Sequence, residues 1–544
     1  MHVGYMTIQL LRILGIKSGT AELMSIWTRE NTLRSRVVRI RDQYHYLNRF
    51  DIKPAPGVTG SNRQDLTIVI FTAPAPSAPY ATSDLRDTIK EIAALGVAEQ
   101  NIWIADDNHH VKCATTIHTV DADNDASIVP LTAVVTELRP DSPIMVCDPT
   151  RLPDPSAIDS ILPYLQNKCA DIYFGDVLQY VDGRWLRAYS PEFSIDLELA
   201  HHCVMSPIEM RAETALKLLA LPDLSLSADP VKELCIAAYQ ADFKISRVPV
   251  LTGKFRSDPR QHANPTATQT SASTKTSVII PTRDRVDFLA TCVHGLLESH
   301  TAENIEVIIV DNDSRQPETK RWLTTIQGRD PRVSVIRSAE PFNWSRLNNL
   351  GATKASGDVL VFLNNDVEFL PHSTLTPVIQ AAMRQNVGAV GALLLYPDNR
   401  VQHAGIVIGM GAFADHLFSG VPYRETDWHC FPSPALPRNV LACTGACLAI
   451  SSTKFQEIGG FDERLKICGD IAVCVKLHEA GYTNLYEPGT QLIHHEFGTR
   501  EIADLPQREM ETCREYIAPY VEQGDPFFHP DLSLRSRYPT PSQT

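Results

Sequence analysis

The twelve cysteines of this chain include no CxxC pair and no short, regular spacing. That argues against a zinc ribbon or a disulfide framework and favours free thiols in a reducing compartment. No run of 18 or more apolar residues occurs, which excludes a conventional transmembrane helix. The opening MHVGYMTIQLLRILGIKSG has an apolar portion of only about ten residues and does not read as a secretory signal. Basic residues are also in deficit. The formal charge is -14, and a protein that grips nucleic acid by its phosphates needs the opposite balance. The motifs that bind phosphate or cleave bonds in well-known ways are missing too: there is no GxGxxG after a strand, no GxxxxGK[ST], no HExxH and no GxSxG. GMGAF at 409–413 has two alternate glycines but lacks the third and the strand, turn and helix around it.

At 544 residues the chain is too long for one ordinary core. Residues 1–60 carry partly helical spacings and end in the Pro/Gly stretch KPAPGVTGSN. From there to residue 257 short apolar strands (LTIVIF, NIWIAD, SPIMVCD) alternate with helical stretches, the rhythm of a largely parallel α/β sheet. Residues 258–275 are crowded with Thr, Ser, Ala, Pro and Gln and read as a linker. The rhythm then restarts from residue 276 to about 500, followed by an extension over 501–544. Two α/β domains in series imply duplication.

In the second domain the strands end in chemistry. TSVIIPT runs into Pro281, Thr282, Arg283 and Asp284; NIEVIIVDND ends in Asp311, Asn312 and Asp313; GDVLVFLNNDVEF stops its apolar run on Asn364, Asn365 and Asp366, then offers Glu368. Ligands of open α/β sheets bind at this carboxyl edge. Three acidic strand ends repel one another unless a cation or a set of donors resolves them. Strand-end aspartates also cap helices, and Asp313 before PETKRWL is open to that reading. His494 and His495 point to opposite faces if extended, so one at most serves a ligand.

The stretches SVIIPTRDRVDFLATCV, EVIIVDNDS, PFNWSRLNNLGATKASGDVLVFLNNDVE, VGAVGALLLYPDNRVQHAGIVIGMG, LPRNVLACTGACLAISSTKFQEIGGFDERL and GYTNLYEPGTQLIHHE together resemble the family 2 glycosyltransferases of GT-A fold. They resemble in particular the O-antigen and surface-polysaccharide branch often described as rhamnosyltransferases. The tail DPFFHPDLSL is similar to that branch's ending. The resemblance implies two tandem GT-A domains with mostly parallel central sheets. It assigns Asp311 to the nucleotide base and Pro281, Thr282 and Arg283 to the nucleotide pocket, with Asp313, Asn343, Asn348, Asn365 and Arg438 also at the donor. Asp366, the last acidic member of a DxD-type motif, and His494, or failing that His495, would hold Mg²⁺ or Mn²⁺. Asp470 would be the catalytic base, and His403 of QHAG would border the sugar pocket. The base segment GDIAVCVKL departs from the family pattern at Gly469 and Ala472, and Trp344 stands where the branch usually has tyrosine. The segment FGTREIADLPQRE, hinged at Gly498, is expected to form a closing loop.

The first domain resembles a worn GT-A copy in which Asp107, Asp148 and Asp229 are what remains of its site. A silent copy could present acceptor, support the active copy or make a homodimer contact. The implied activity is inverting transfer of a sugar from a dTDP- or UDP-linked donor to a polysaccharide or lipid-linked glycan. The implied location is the cytoplasm, peripheral to the inner membrane. Two other readings stand beside it. One is a non-catalytic scaffold of a polysaccharide-assembly complex. The other is a nucleotidyltransferase, for which PTRDRVD is too poor in glycine and lysine.

Overall fold

The computed structural model describes residues 66–71, 97, 101–105 and 110–113, most of 129–255, and 274–542 apart from 301–303, 424–430 and 496–506. The expected N-terminal segment, nearly all of the linker, Asp107, Asp148 and Gly498 lie outside the described residues.

Two mixed α/β sheets follow one another along the chain. In the second, Val333–Arg337, Ile305–Asp311, Thr276–Thr282 and Val359–Leu363 lie side by side in that order and parallel. Cys447–Ser451 then enters antiparallel, and Val387–Leu395 and Thr483–His494 continue as a second parallel pair. The short strand Val367–Phe369 closes the edge, antiparallel to Thr483–His494. The first sheet repeats the scheme. Thr67–Phe71 is parallel to both Ile102–Ala105 and Pro143–Cys147, Ile208–Arg211 enters antiparallel, and Ile172–Val181 runs parallel to Ile245–Phe255. Arg151–Pro153 is the edge strand there, antiparallel to Ile245–Phe255. The parallel-rich α/β class read from the strand rhythm is the class observed.

Val359–Leu363 is the central strand of the second sheet and is buried along its whole length. Its residues are apolar on both faces because both faces are covered, as buried strands flanked by helices require. Val359, Val361 and Leu363 join the core under the helix Val286–Ser299. On the other face Phe362 meets Phe461 at 4.6 Å and Phe455 at 5.0 Å between ring centroids. Phe461 in turn packs edge-on against Trp344 at 4.8 Å. An aromatic wall therefore runs from the sheet centre to the polar end of the strand.

The two sheets are joined by specific contacts. Arg384 forms a two-pronged ion pair with Asp196, and Asn439 donates to the Phe193 carbonyl at 2.9 Å. The C-terminal tail adds a strap. Asp525 accepts from the Ile408 amide (3.0 Å), the Leu534 carbonyl accepts from Gly411 (2.9 Å), and Arg537 pairs with Asp415 (2.7 Å). In the same tail, fully buried His529 sits 3.1 Å from buried Asp176 of the first sheet. No described helix is long and apolar enough to cross a membrane.

Two outcomes follow for stability. Truncating Phe362 to Ala should cost about 3–5 kcal/mol in urea unfolding, the range for a fully buried aromatic. Burial pushes the Asp525 carboxyl up to about 6 from its ordinary 3.8. The folded chain then holds that proton more tightly than the unfolded one, so this group's contribution falls as pH rises from about 4 to about 6 and is level above. The stability deficit of Asp525→Ala relative to the parent should therefore be about 1 kcal/mol larger at pH 5 than at pH 7.

Candidate functional site at the carboxyl edge of the second sheet

The polar residues after Val359–Leu363 stop being a strand because the chain leaves the sheet there. The Asn364 amide still donates to the Ala446 carbonyl (3.0 Å), and the edge strand then restarts at Val367. That half-turn sets Asp366 opposite the end of Thr483–His494. Its Oδ1 lies 3.1 Å from His494 Nε2, with both side chains nearly buried. His495 points the other way, to Glu368 at 2.9 Å and the ring of Phe288, as strand alternation demands.

Hydrogen bonding fixes which nitrogen of His494 carries the proton. Gln402 donates through Nε2 to the His494 carbonyl (3.3 Å), which can only accept. Its Oε1 is then the atom facing His494 Nδ1 at 2.7 Å, so Nδ1 carries the hydrogen and donates. The other side of the ring agrees. Trp344 Nε1, a donor only, gives its hydrogen to Asn364 Oδ1 (3.3 Å), which turns Asn364 Nδ2 toward His494 Nε2 at 3.4 Å. In the neutral ring His494 Nε2 is then the acceptor nitrogen, facing both Asn364 Nδ2 and the Asp366 carboxylate. Two acceptors at this separation repel unless a proton or cation lies between them. A neutral imidazole with its far nitrogen anchored is also the form that binds metals. Asp366 and His494 thus fit a divalent ion that completes its shell with oxygen from a ligand. Among the described residues no group of three or more His, Cys, Asp or Glu could hold an ion unaided.

Around this pair, Asn365 donates to Thr282 Oγ1 (3.0 Å), tying the third acidic strand end to the first. Thr282 is in register with Asp311. The Asp311 carboxylate is buried and accepts from the Ser314 amide at 3.0 Å. Pro281 precedes Thr282 in the same strand. The loops after the first two strands are laced together: Asp284, in left-handed conformation, accepts from the Arg315 and Gln316 amides (2.7 and 2.8 Å). Arg283 and Asp313 are exposed on these loops, and Asp313 stands 3.8 Å from Arg315. Sequence reading passed over Arg285. Its guanidinium is held above its usual range, first by the hydrogen bond to Asp287 and in smaller part by the nearby Asp366 charge. The same guanidinium grips Asp287 through both Nε and Nη2 (3.2 and 3.0 Å).

Asp470 opens the helix Gly469–Glu479 and is half-buried. One carboxylate oxygen accepts from the Gly445 amide at 2.8 Å, the other from Ile471 at 2.9 Å. Helix N-termini favour such a charge. A Cβ on Gly445 would run into the Trp344 ring, and one on Gly469 into the Ser345 hydroxyl. Trp344 is the shared wall: its ring backs the Asp470 side and its N–H serves the His494 side. Gly469 is therefore a packing requirement here, and Ala472 is fully buried in the helix's inner face. Glu509, from the C-terminal helix Gln507–Gln523, accepts from the Ile467 and Cys468 amides and so caps the entry to the Asp470 helix. It is also the last residue of the expected closing loop, whose residues 497–506 lie outside the described residues.

Three expected donor residues turn out to be engaged elsewhere. Asn343 caps the helix Trp344–Ala352 by accepting from Arg346 and donates to the Glu463 carbonyl. Asn348 is fully buried and donates to the Trp344 carbonyl at 2.9 Å. Arg438 lies beneath the surface at 2% exposure, donating to the carbonyls of Pro432, Ser433 and Ala404 with its guanidinium over Tyr486. Burial pushes it down to about 10, and its strand partner Tyr486 is eight residues before His494. His403 is likewise fully buried, its Nδ1 against His416 Nδ1 at 3.2 Å. In the first domain, Asp229 caps the helix Pro230–Gln240 through Lys232 N.

This chain is 38% identical over 267 residues to the uncharacterized protein y4gI of Sinorhizobium fredii, covering 47% of this chain and 29% of that one. It is 38% identical over 269 residues to the O-antigen biosynthesis protein RfbC of Myxococcus xanthus, covering 48% and 20%. The chain thus spans less than a third of the length of these relatives. Among solved structures it is similar to a crystal structure of GalNAc-T7 with UDP, GalNAc and Mn²⁺, at 16% identity and a TM-score of 0.35, covering 46% of this chain and 49% of that one. Residues 277–458, which begin in the first strand of the second sheet and include Asp311, Asp366 and Gly445, match the family model described as Glycosyl transferase family 2.

Proposed function

We propose that the second α/β unit, residues 276–500, is a GT-A glycosyltransferase. In this reading it is inverting and divalent-metal-dependent, and it moves a sugar from a dTDP- or UDP-linked donor to a polysaccharide or lipid-linked glycan acceptor. The observation that carries the proposal is His494 Nε2 facing the Asp366 carboxylate at 3.1 Å, at the edge where a sheet of this kind takes its ligand. The family match over residues 277–458 supports the same reaction class. The O-antigen biosynthesis named for the Myxococcus relative supports a place in surface-polysaccharide synthesis.

The roles follow from the chemistry of each group. Asp311 and the Thr282 loop offer acceptors and donors to the base and ribose. Asp366 and His494 would hold Mg²⁺ or Mn²⁺ through one oxygen and one nitrogen. When bound, such an ion neutralises charge on a diphosphate leaving group. Arg285 adds positive charge on the same side. Asp470 is held in place by the Gly445 amide and is the group to take the proton from an acceptor hydroxyl attacking the anomeric carbon. Attack from the Asp470 side, opposite the diphosphate, inverts that carbon. The first unit, residues 61–257, is proposed as a non-catalytic copy, because Asp229 is used as a helix cap.

A panel of nucleotide sugars with Mg²⁺ or Mn²⁺, scored by nucleoside diphosphate release, tests the proposal. Asp366→Ala should abolish metal-dependent turnover. Asp470→Asn should lower kcat by about 10²–10⁴-fold with little change in donor KM, the signature of a lost general base. Full turnover in the Asp366 variant would refute the assignment. Gly469→Asp, which restores an acidic residue of the family pattern, should lose about 1–3 kcal/mol of stability to overpacking against Ser345, seen as a lower Tm.

A further inference from the structure

We propose that Gln402 is a positioning residue that selects the tautomer and orientation of His494; the inference rests on the reading of His494 as a metal ligand. Two independent features of the backbone and side chain support it.

The first is local backbone geometry. Val401–His403 pairs antiparallel with the end of Val387–Leu395, where His403 faces Leu394 and Val401 faces Leu395. Adjacent residues on one strand thus oppose residues two apart on the other, which leaves Gln402 as the extra residue of a β-bulge. Bulges disrupt the ladder and re-aim a side chain, often beside active sites. Here the bulge lies at the end of Val387–Leu395, whose last residue pairs with Ile493. Past that end Gln402 reaches His494. From below, His416 hydrogen-bonds the Gln402 backbone.

The second is the match of functional groups. The Gln402 amide spans both the donor and the acceptor of a single residue: Nε2 to the His494 carbonyl at 3.3 Å and Oε1 to its Nδ1 at 2.7 Å. Turning the imidazole about its Cα–Cβ bond, or moving its proton to Nε2, breaks the Nδ1–Oε1 bond, and flipping the Gln402 amide to follow the tautomer would lose its bond to the His494 carbonyl. Gln402 is only 4% exposed, so water cannot readily replace it. A buried carboxamide placed only for packing would not need this two-point fit to a residue 92 positions away. Outer partners of metal-binding histidines typically contribute about 10–100-fold in metal affinity.

The test is a double-mutant cycle on the full chain, with Mn²⁺ titrated in the presence of UDP and, separately, dTDP, and free Mn²⁺ read by electron paramagnetic resonance. Gln402→Met should weaken Mn²⁺ binding by about 10–100-fold. Gln402→Glu, which keeps an acceptor for Nδ1–H, should restore most of that loss. In a His494→Ala background, Gln402→Met should have no further effect. If Gln402→Met weakens binding equally with and without His494, or leaves it unchanged where His494→Ala weakens it, the positioning role is wrong and the ligand reading stands. If His494→Ala leaves Mn²⁺ affinity intact, the ligand reading falls and the positioning role with it. Should the Met variant not fold, Gln402→Ala takes its place in the same cycle, with the same outcomes deciding.

Discussion

Everything at this sheet edge turns on how an electrostatic mismatch is resolved: the Asp366 carboxylate and His494 Nε2, both nearly buried, face one another across 3.1 Å. In the neutral ring these are two acceptors, which repel unless a proton or cation lies between them. Here the surroundings enforce the mismatch. Trp344 orients Asn364, Asn364 faces the ring nitrogen, and Gln402 holds the opposite nitrogen and the carbonyl of the same residue.

The mismatch can persist because the frame around it is stiff. The wall Phe362, Phe461 and Trp344 connects the middle of the sheet to the site, with each ring edge-on to the next, a favoured aromatic geometry. Gly445 and Gly469 let the Asp470 helix approach that wall more closely than any side chain would permit. The Asp366–His494 side and the Asp470 side are thus two faces of one packed unit that share Trp344.

Much of this was legible in the chain itself. Val359–Leu363 declares a buried strand by its apolar run, and its polar end announces the edge. The alternation of His494 and His495 foretold that they would part. Other features were hidden for physical reasons. The resemblance singles out Asn343, Asn348 and Arg438, but what an amide or guanidinium bonds to depends on carbonyls that the fold brings to it: Glu463 for Asn343, Ala404 for Arg438. QHAG drew attention to its histidine, whereas the neighbouring glutamine faces the site. A one-residue bulge leaves no periodic trace in sequence. The departure from the family pattern at Gly469 likewise has its cause out of sequence reach, because Ser345 occupies the space a side chain would need.

The strap has a consequence for how the two sheets come apart. Asp525, Leu534 and Arg537 tie to positions 408–418, while His529 of the same segment meets Asp176 of the first sheet. One short segment therefore fastens both sheets across the seam that Arg384 and Asp196 also close. Neither sheet can shed it without the other losing the same hold, which couples their unfolding.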